Sequence, residues 1–219
     1  MHADRTGPPR GRQKEADRND ERVLRAAREV FAELGWNAPV SEIARRAGVG
    51  MGSLYRRYPA KEDLAQALRV DGMNRLTSLA RTAMTDHPDP WTALTAFLRA
   101  ALSSPDTSSL LALIGGRLPA TAEIDTADNR LQQALDDLVN AAHRNGALCQ
   151  DFTSADIPLL LNHLNARLPT TTERATELHL RYLDLILTGL RTPPTTGDRP
   201  TSPPDWTELR NLWNAPATR

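Results

Sequence analysis

The chain has a single cysteine, Cys149, so no intrachain disulfide and no thiolate metal cluster is open to it. Only 5% of its residues are aromatic, which leaves its cores to the aliphatic side chains that pack helices. The longest unbroken apolar run, Leu110 to Ile114, falls far short of the roughly 20 residues that a bilayer-spanning helix needs. The opening MHADRTGPPRGRQK is polar and basic and lacks the apolar segment of a secretory signal, so a cytoplasmic location with no membrane partner is expected. Net charge is zero, which argues against a protein that coats nucleic acid. The marks of an enzyme are also missing. The histidines at 2, 87, 143, 163 and 179 show no HExxH spacing, Cys149 falls in no metal or redox spacing, and Gly115 and Gly116 read as a helix stop rather than a phosphate loop. No catalytic residue, metal or cofactor is expected, although triads assemble across sequence and escape such inspection. Finally, no stretch alternates in the period of two that a strand requires, and the fold class expected is all-α.

What is present is unevenly distributed. Residues 1–70 carry 14 Lys and Arg against 10 Asp and Glu, and residues 71–219 carry 13 against 17. A front of charge +4 and a back of −4 suggest a division of labour, and 219 residues suffice for two modest domains. Four segments are expected: a mobile basic arm at 1–18, a helix-turn-helix domain at 19–66, a helical domain at 67–191, and a Pro-rich tail at 192–219. The arm has almost no large apolar side chains with which to offset its ordering entropy.

Val23, Ala27, Val30, Phe31 and Leu34 then recur as a helical stripe, with Asn19 or Asp20 available to cap its start and Gly35 to stop it. Pro39 suits the first turn of a second, short helix whose buried side is Ile43, Ala44 and Ala47, ended by Gly48. A third has Leu54, Tyr55 and Tyr58 on its apolar side and is closed by Pro59. Two helices of about eight residues around a Gly-containing turn make a helix-turn-helix. A fourth helix runs from near Ala60 towards Met84 until HPDP (87–90) breaks it. Further helical segments are expected at about 91–103, 107–114, 122–145, 155–168 and 173–190, giving about nine main helices. After TPPTTGDRPTSPP (192–204), Trp206, Leu209, Leu212 and Trp213 share one side of a short amphipathic helix, and the tryptophans are expected to dock on the protein.

From Ala38 to Leu64 the chain resembles the TetR family of transcriptional regulators. That family's helix-turn-helix follows IAxxAGVxxGxLYxxFxxKExL, and Ile43, Ala44, Ala47, Gly48, Val49, Gly52, Leu54, Tyr55, Lys61, Glu62 and Leu64 match it, with Tyr58 in the place of Phe. With the first helix included, the likeness covers about 19–66. Gly50 and Met51 depart from the family's usual capping Ser or Thr and polar reader. Ala44, Ala47 and Gly48, with Ile43, Val49 and Leu54, are scaffold. What remains exposed is the candidate DNA-facing set. The resemblance implies that Ser41, Met51, Gly52, Ser53, Tyr55, Arg57 and Lys61 lie at DNA, the Tyr55 hydroxyl and Lys61 ammonium as phosphate clamps. Arg45, Arg46, Arg56 and Arg57 are available for phosphates or guanine edges, and Tyr58 completes the set.

Beyond the fourth helix the resemblance implies an effector cavity among the middle helices and a homodimer built on the last two long ones. Residues 155–190 carry more leucine than one helix buries against one neighbour, as a four-helix interface would require. Trp91, Leu94, Phe97, Leu98, Ile114, Leu118, Leu135 and Leu138 are candidate cavity walls, with Arg117, Gln132, His143, Asn162, His163 and Asn165 as polar anchors. The function implied is a repressor that binds a near-palindromic, double-stranded operator as a dimer and is released by a small-molecule effector. A DNA-binding regulator without a ligand, or an activator, fits the same residues.

Overall fold

Helix starts and stops written in the sequence organise the structure, a computed structural model that describes residues 10–104, 121–166, 168–191 and 202–214. Among the described residues there are nine α-helices and no strand. The helix expected at 107–114, with Ile114, Arg117 and Leu118, lies outside the described residues. So do residues 1–9 of the expected arm, residues 192–201 of the tail, and the Trp213 side chain.

Helix α1 spans Arg10–Leu34 and so begins nine residues before the expected start. Residues 10–18 include Arg, Gln, Lys, Glu and Ala, good helix formers that prolong a helix already held by its packed stripe. Asn19 and Asp20 therefore lie inside the helix and do not cap it. Val23, Ala26, Ala27, Val30 and Phe31 are buried, but Leu34 is 53% exposed because it stands in the final turn, past the helix's packing partners. Gly35, at φ 74°, closes α1 with its N–H on the Phe31 carbonyl at 3.0 Å. Trp36 then folds back to stack on Phe31, centroids 5.8 Å apart.

Helix α2 (Val40–Ala47) buries Ile43, Ala44 and Ala47, and α1 packs against it. Helix α3 (Met51–Arg57) buries Leu54 alone, with Tyr58 buried at its C-cap. Helix α4 (Lys61–Asp86) contributes Leu64, Ala65 and Leu68 to this small core. The chain divides into two compact units between Leu68 and Arg69, within α4.

The second unit contains the remainder of α4, α5 (Pro90–Ser103), α6 (Ala122–Arg144), α7 (Asp156–Leu164), α8 (Thr172–Arg191) and α9 (Trp206–Asn214). Pro90 stands in the first turn of α5, where its missing N–H costs nothing. Asp89 caps that helix, accepting from the Thr92 amide at 2.8 Å, and the hydrogen bond from the Thr92 side chain, then the backbone one, pulls its carboxyl below the usual range. Thr121 caps α6 in the same way. Helix α5 is the centre of the unit and packs on α6, α7 and α8. Leu94, Phe97, Leu98, Leu131, Leu135 and Leu183 are almost wholly excluded from water. No helix of the described residues is long and apolar enough to cross a membrane.

Helix α9 docks on this unit. Trp206 and Leu209 are buried, the Trp206 indole N–H donates to Ser154 Oγ at 2.9 Å, and Ser154 in turn donates to Asp136. Arg210 reaches α6, donating to Asp128 Oδ2 at 2.5 Å, Gln132 Oε1 at 2.7 Å and Asn129 Oδ1 at 3.1 Å. Leu212, expected on the docked side, is instead 55% exposed, being one turn beyond the last residue of α9 that meets the core.

Candidate nucleic-acid interface

Everything that aims α3 follows from three residues, Gly48 to Gly50. Gly48 takes φ 65° and ψ 38°, a conformation that side chains with a Cβ resist, and its N–H bonds the Arg45 carbonyl at 3.2 Å while Val49 N–H bonds that of Ala44 at 3.1 Å. This closes α2 in one step. Gly50 then caps α3 through its carbonyl, which accepts from Ser53 N–H at 2.9 Å and Leu54 N–H at 3.1 Å. With Leu54 as its one buried residue, α3 is held by the inward side and leaves Met51, Gly52, Ser53, Tyr55, Arg56 and Arg57 exposed. Tyr55 is 45% exposed, which separates it from the apolar side it was expected to share with Leu54. A Cβ at Gly52 would meet nothing within 4 Å, so packing inside the chain does not require glycine there. A helical glycine without an internal reason suits a surface that another backbone approaches closely.

Ser41 and Arg45 are exposed on α2. Tyr58 is a correction to the expected set: it is 8% exposed, its ring turned into the core where the Phe of the motif would pack. Lys61 is also placed differently from a free phosphate clamp. Its ammonium donates to the Ala38 carbonyl at 2.5 Å and lies over the rings of Trp36 (5.3 Å) and Phe31 (5.5 Å), and burial pushes its pKa below the usual lysine range.

The arginines are not loose either. Glu42 Oε1 accepts from Arg45 at 2.6 Å and from Arg46 at 2.8 Å, and Arg46 also grips Glu33 of α1 with both terminal nitrogens, at 2.6 and 2.9 Å. The hydrogen bonds from Arg45 and then Arg46 hold the Glu42 carboxyl down at about 2. The hydrogen bond to Glu33, then that to Glu42, raises the pKa of Arg46. Arg57 of α3 pairs with Asp20 of α1, Nη2 to Oδ2 at 2.7 Å and Nε to Oδ2 at 2.9 Å, which raises the Arg57 pKa. Among the described residues Arg56 has no carboxylate partner. Glu42 was legible, standing three and four places before its arginines on one helix face. Glu33 and Asp20 were not, since only the tertiary fold brings them to α2 and α3.

The expected effector residues are scattered. Leu94, Phe97, Leu98 and Leu135 lie in the packed interior. Trp91 is half-buried beside an open groove of about 460 Å³ between α5 and α8, with the Arg191 guanidinium 5.6 Å from its ring centroid. Gln132 is taken up by Arg210. Asn162 and His163 are exposed in the single chain, on the side of α7 opposite Ile157 and Leu161, and so do not line an interior. His143 is half-buried, its Nε2 3.1 Å from the Cys149 carbonyl oxygen.

A rigid helix-turn-helix that offers one face of its second helix, followed by an all-helical unit, defines the class: a DNA-binding transcriptional regulator. Residues 23–68 match the family described as bacterial regulatory proteins, tetR family, and residues 89–192 match the C-terminal domain of SbtR-like transcriptional regulators. The chain is 32% identical to the TetR transcription regulatory protein from Mycobacterium vanbaalenii over 82% of this chain and 99% of that one, with a TM-score of 0.61. It is 29% identical to the TetR transcriptional regulator SCO0520 from Streptomyces coelicolor over 80% and 99% of the two chains, with a TM-score of 0.58. It is also 29% identical to the HTH-type transcriptional repressor BepR of Brucella suis, over 64% of this chain and 73% of the relative. The chain belongs to the TetR family of bacterial regulators.

Proposed function

We propose that the protein is a homodimeric repressor that binds a near-palindromic operator in the cytoplasm and is released by a small-molecule effector. The observation that carries the DNA-binding geometry is the division of α3, with Leu54 buried and Met51, Gly52, Ser53, Tyr55 and Arg56 presented to solvent beside Ser41 of α2. Tyr55 and Ser41 are the phosphate ligands of this reading, and Ser53 and Arg56 the base readers, with Arg45 and Arg57 joining when they exchange partners. Lys61 acts by fixing the start of α4 against the loop before α2.

The dimer is supported by α8. Leu178, Tyr182, Leu185 and Gly189 follow one another at helical spacing along one face, and Tyr182 and Leu185 are each 56% exposed, an apolar strip that a second copy would cover. Two copies would set their recognition helices about 34–36 Å apart, one turn of duplex, or at a multiple of that spacing. The repressor role is supported by the printed role of the Brucella relative. A regulator without an effector is the second reading. The near-complete burial of Leu94, Phe97, Leu98 and Leu135, expected as cavity walls, favours it.

Selection of duplexes from a random library, followed by binding to the recovered site at increasing salt, tests the proposal. The expected outcome is one palindromic consensus, two protomers per duplex by sedimentation, and affinity that falls steeply with salt. Arg56→Ala should relax preference at one base position per half-site, while Tyr55→Phe weakens all sequences alike. A consensus without two-fold symmetry, or a monomer on DNA, overturns the dimeric reading. Screening metabolite pools against the protein–operator complex separates the two remaining readings, since only the first predicts release.

A further inference from the structure

Among the described residues, the arginines proposed to meet DNA are already occupied by carboxylates, except Arg56. Arg45 and Arg46 share Glu42, Arg46 also holds Glu33, and Arg57 is pinned by Asp20 from a helix 37 residues away. The Arg57 side chain is 65% exposed, so the pair stands at the surface where a phosphate can reach it. For Arg57 to touch DNA it must leave Asp20, or the carboxylate must share it. We propose that Asp20 is a specificity-determining residue: it competes with DNA phosphate for Arg57 and so suppresses binding to random sequence more than binding to the operator.

The physical reason is a difference in geometry. On random sequence α3 sits in no fixed register, and a loosely placed phosphate offers a guanidinium little more than the two carboxylate oxygens at 2.9 and 3.2 Å already give its Nε. On the operator, base contacts from the rest of α3 fix the register, and Arg57 meets a partner held in place, which wins the exchange. The exposed pair is weak enough to be displaced. Glu42 does for Arg45 what Asp20 does for Arg57, from within one helix.

The test uses the full chain, a duplex recovered by selection and a random-sequence duplex of the same length. Asp20→Asn should tighten binding to the random duplex by about two- to five-fold, the range expected for releasing one exposed ion pair, and binding to the selected duplex by less. Its log–log salt slope on the random duplex should steepen by up to about 0.9, because no carboxylate regains a cation as Arg57 takes a phosphate. Glu21→Gln removes the same charge one residue along, where no arginine partner exists among the described residues, and should change neither measurement appreciably. In an Arg57→Ala background Asp20→Asn should have no effect. Asp20→Ser repeats the measurement should Asn disturb α1. The proposal is overturned if Asp20→Asn weakens binding, tightens both duplexes equally, is matched by Glu21→Gln, or keeps its effect without Arg57.

Discussion

The ion pairs that tie α1 to α2 and α3 in the first unit differ from the one that ties α9 to α6 in the second. In the first, the pairs lie at the surface, and one of them holds Arg57, an arginine proposed to meet DNA. In the second, the Arg210–Asp128 pair is screened from water on the carboxylate side, where Asp128 is buried. An exposed pair contributes little and exchanges readily, whereas a covered one resists removal of either partner. The exposed pairs of the first unit are therefore the ones open to exchange.

The comparison can be broken most forcefully at the first unit's core. Phe31→Ala removes a fully buried ring that stacks on Trp36 and lies under Lys61, and should cost about 3–5 kcal/mol. A core that small should unfold, with loss of DNA binding while the α5–α8 body still melts as a separate transition in calorimetry. Trp206→Ala should cost less, because α9 can leave as a piece and the loss then stops at its docking free energy, below the about 3–5 kcal/mol of a truncation in a fixed core. Limited proteolysis should then cut at 202–214 while DNA affinity stays near that of the parent. Loss of DNA binding with an intact fold would show that the units are not independent in this respect.

Gly48→Ala should destabilise by about 1–2 kcal/mol, the cost of a left-handed conformation for a residue with a Cβ, and it also pushes against Arg22 Nη2, 2.6 Å from the new atom. Urea unfolding measures it. The smallest expected effect is one of pH. Because Glu42 is held at about 2 in the fold against 4.5 for a free carboxyl, its contribution is complete above pH 4.5 and fades as pH falls from there towards 2. Glu42→Gln should lower the first unit's melting temperature at pH 6 and converge with the parent below about pH 2. Parallel curves across that range would mean the carboxylate contributes nothing to folding.

The sequence was most informative where local chemistry decides the outcome. The stops at Gly35 and Gly48, the break at HPDP and the small face of Ile43, Ala44 and Ala47 all depend on residues within a turn of one another, and each stands where the pattern put it. Helix α1 began earlier than expected because no strong stop signal precedes Asn19, and propensity carried the helix outward. Leu34 and Tyr55, expected on apolar sides, turned outward. Leu34 stands in the last turn of α1 and Tyr55 on a helix of seven residues, where periodicity is a weak guide to which way a side chain turns. Tyr58 kept the apolar side and left the DNA-facing set. The candidate interface was legible as a set of positions but not as a set of available charges.

By itself, then, the order of residues determined the described helices and, the start of α1 apart, their boundaries within a turn or so, because backbone propensity, capping and glycine sterics act over a few residues. Only the tertiary structure decided that Asp20 and Glu33 meet the arginines, that Lys61 clasps a carbonyl between two rings, and that Arg210 ties the tail to α6. Those partners stand 13 to 82 residues apart, and no local rule relates side chains that only the packing of whole helices brings within 3 Å.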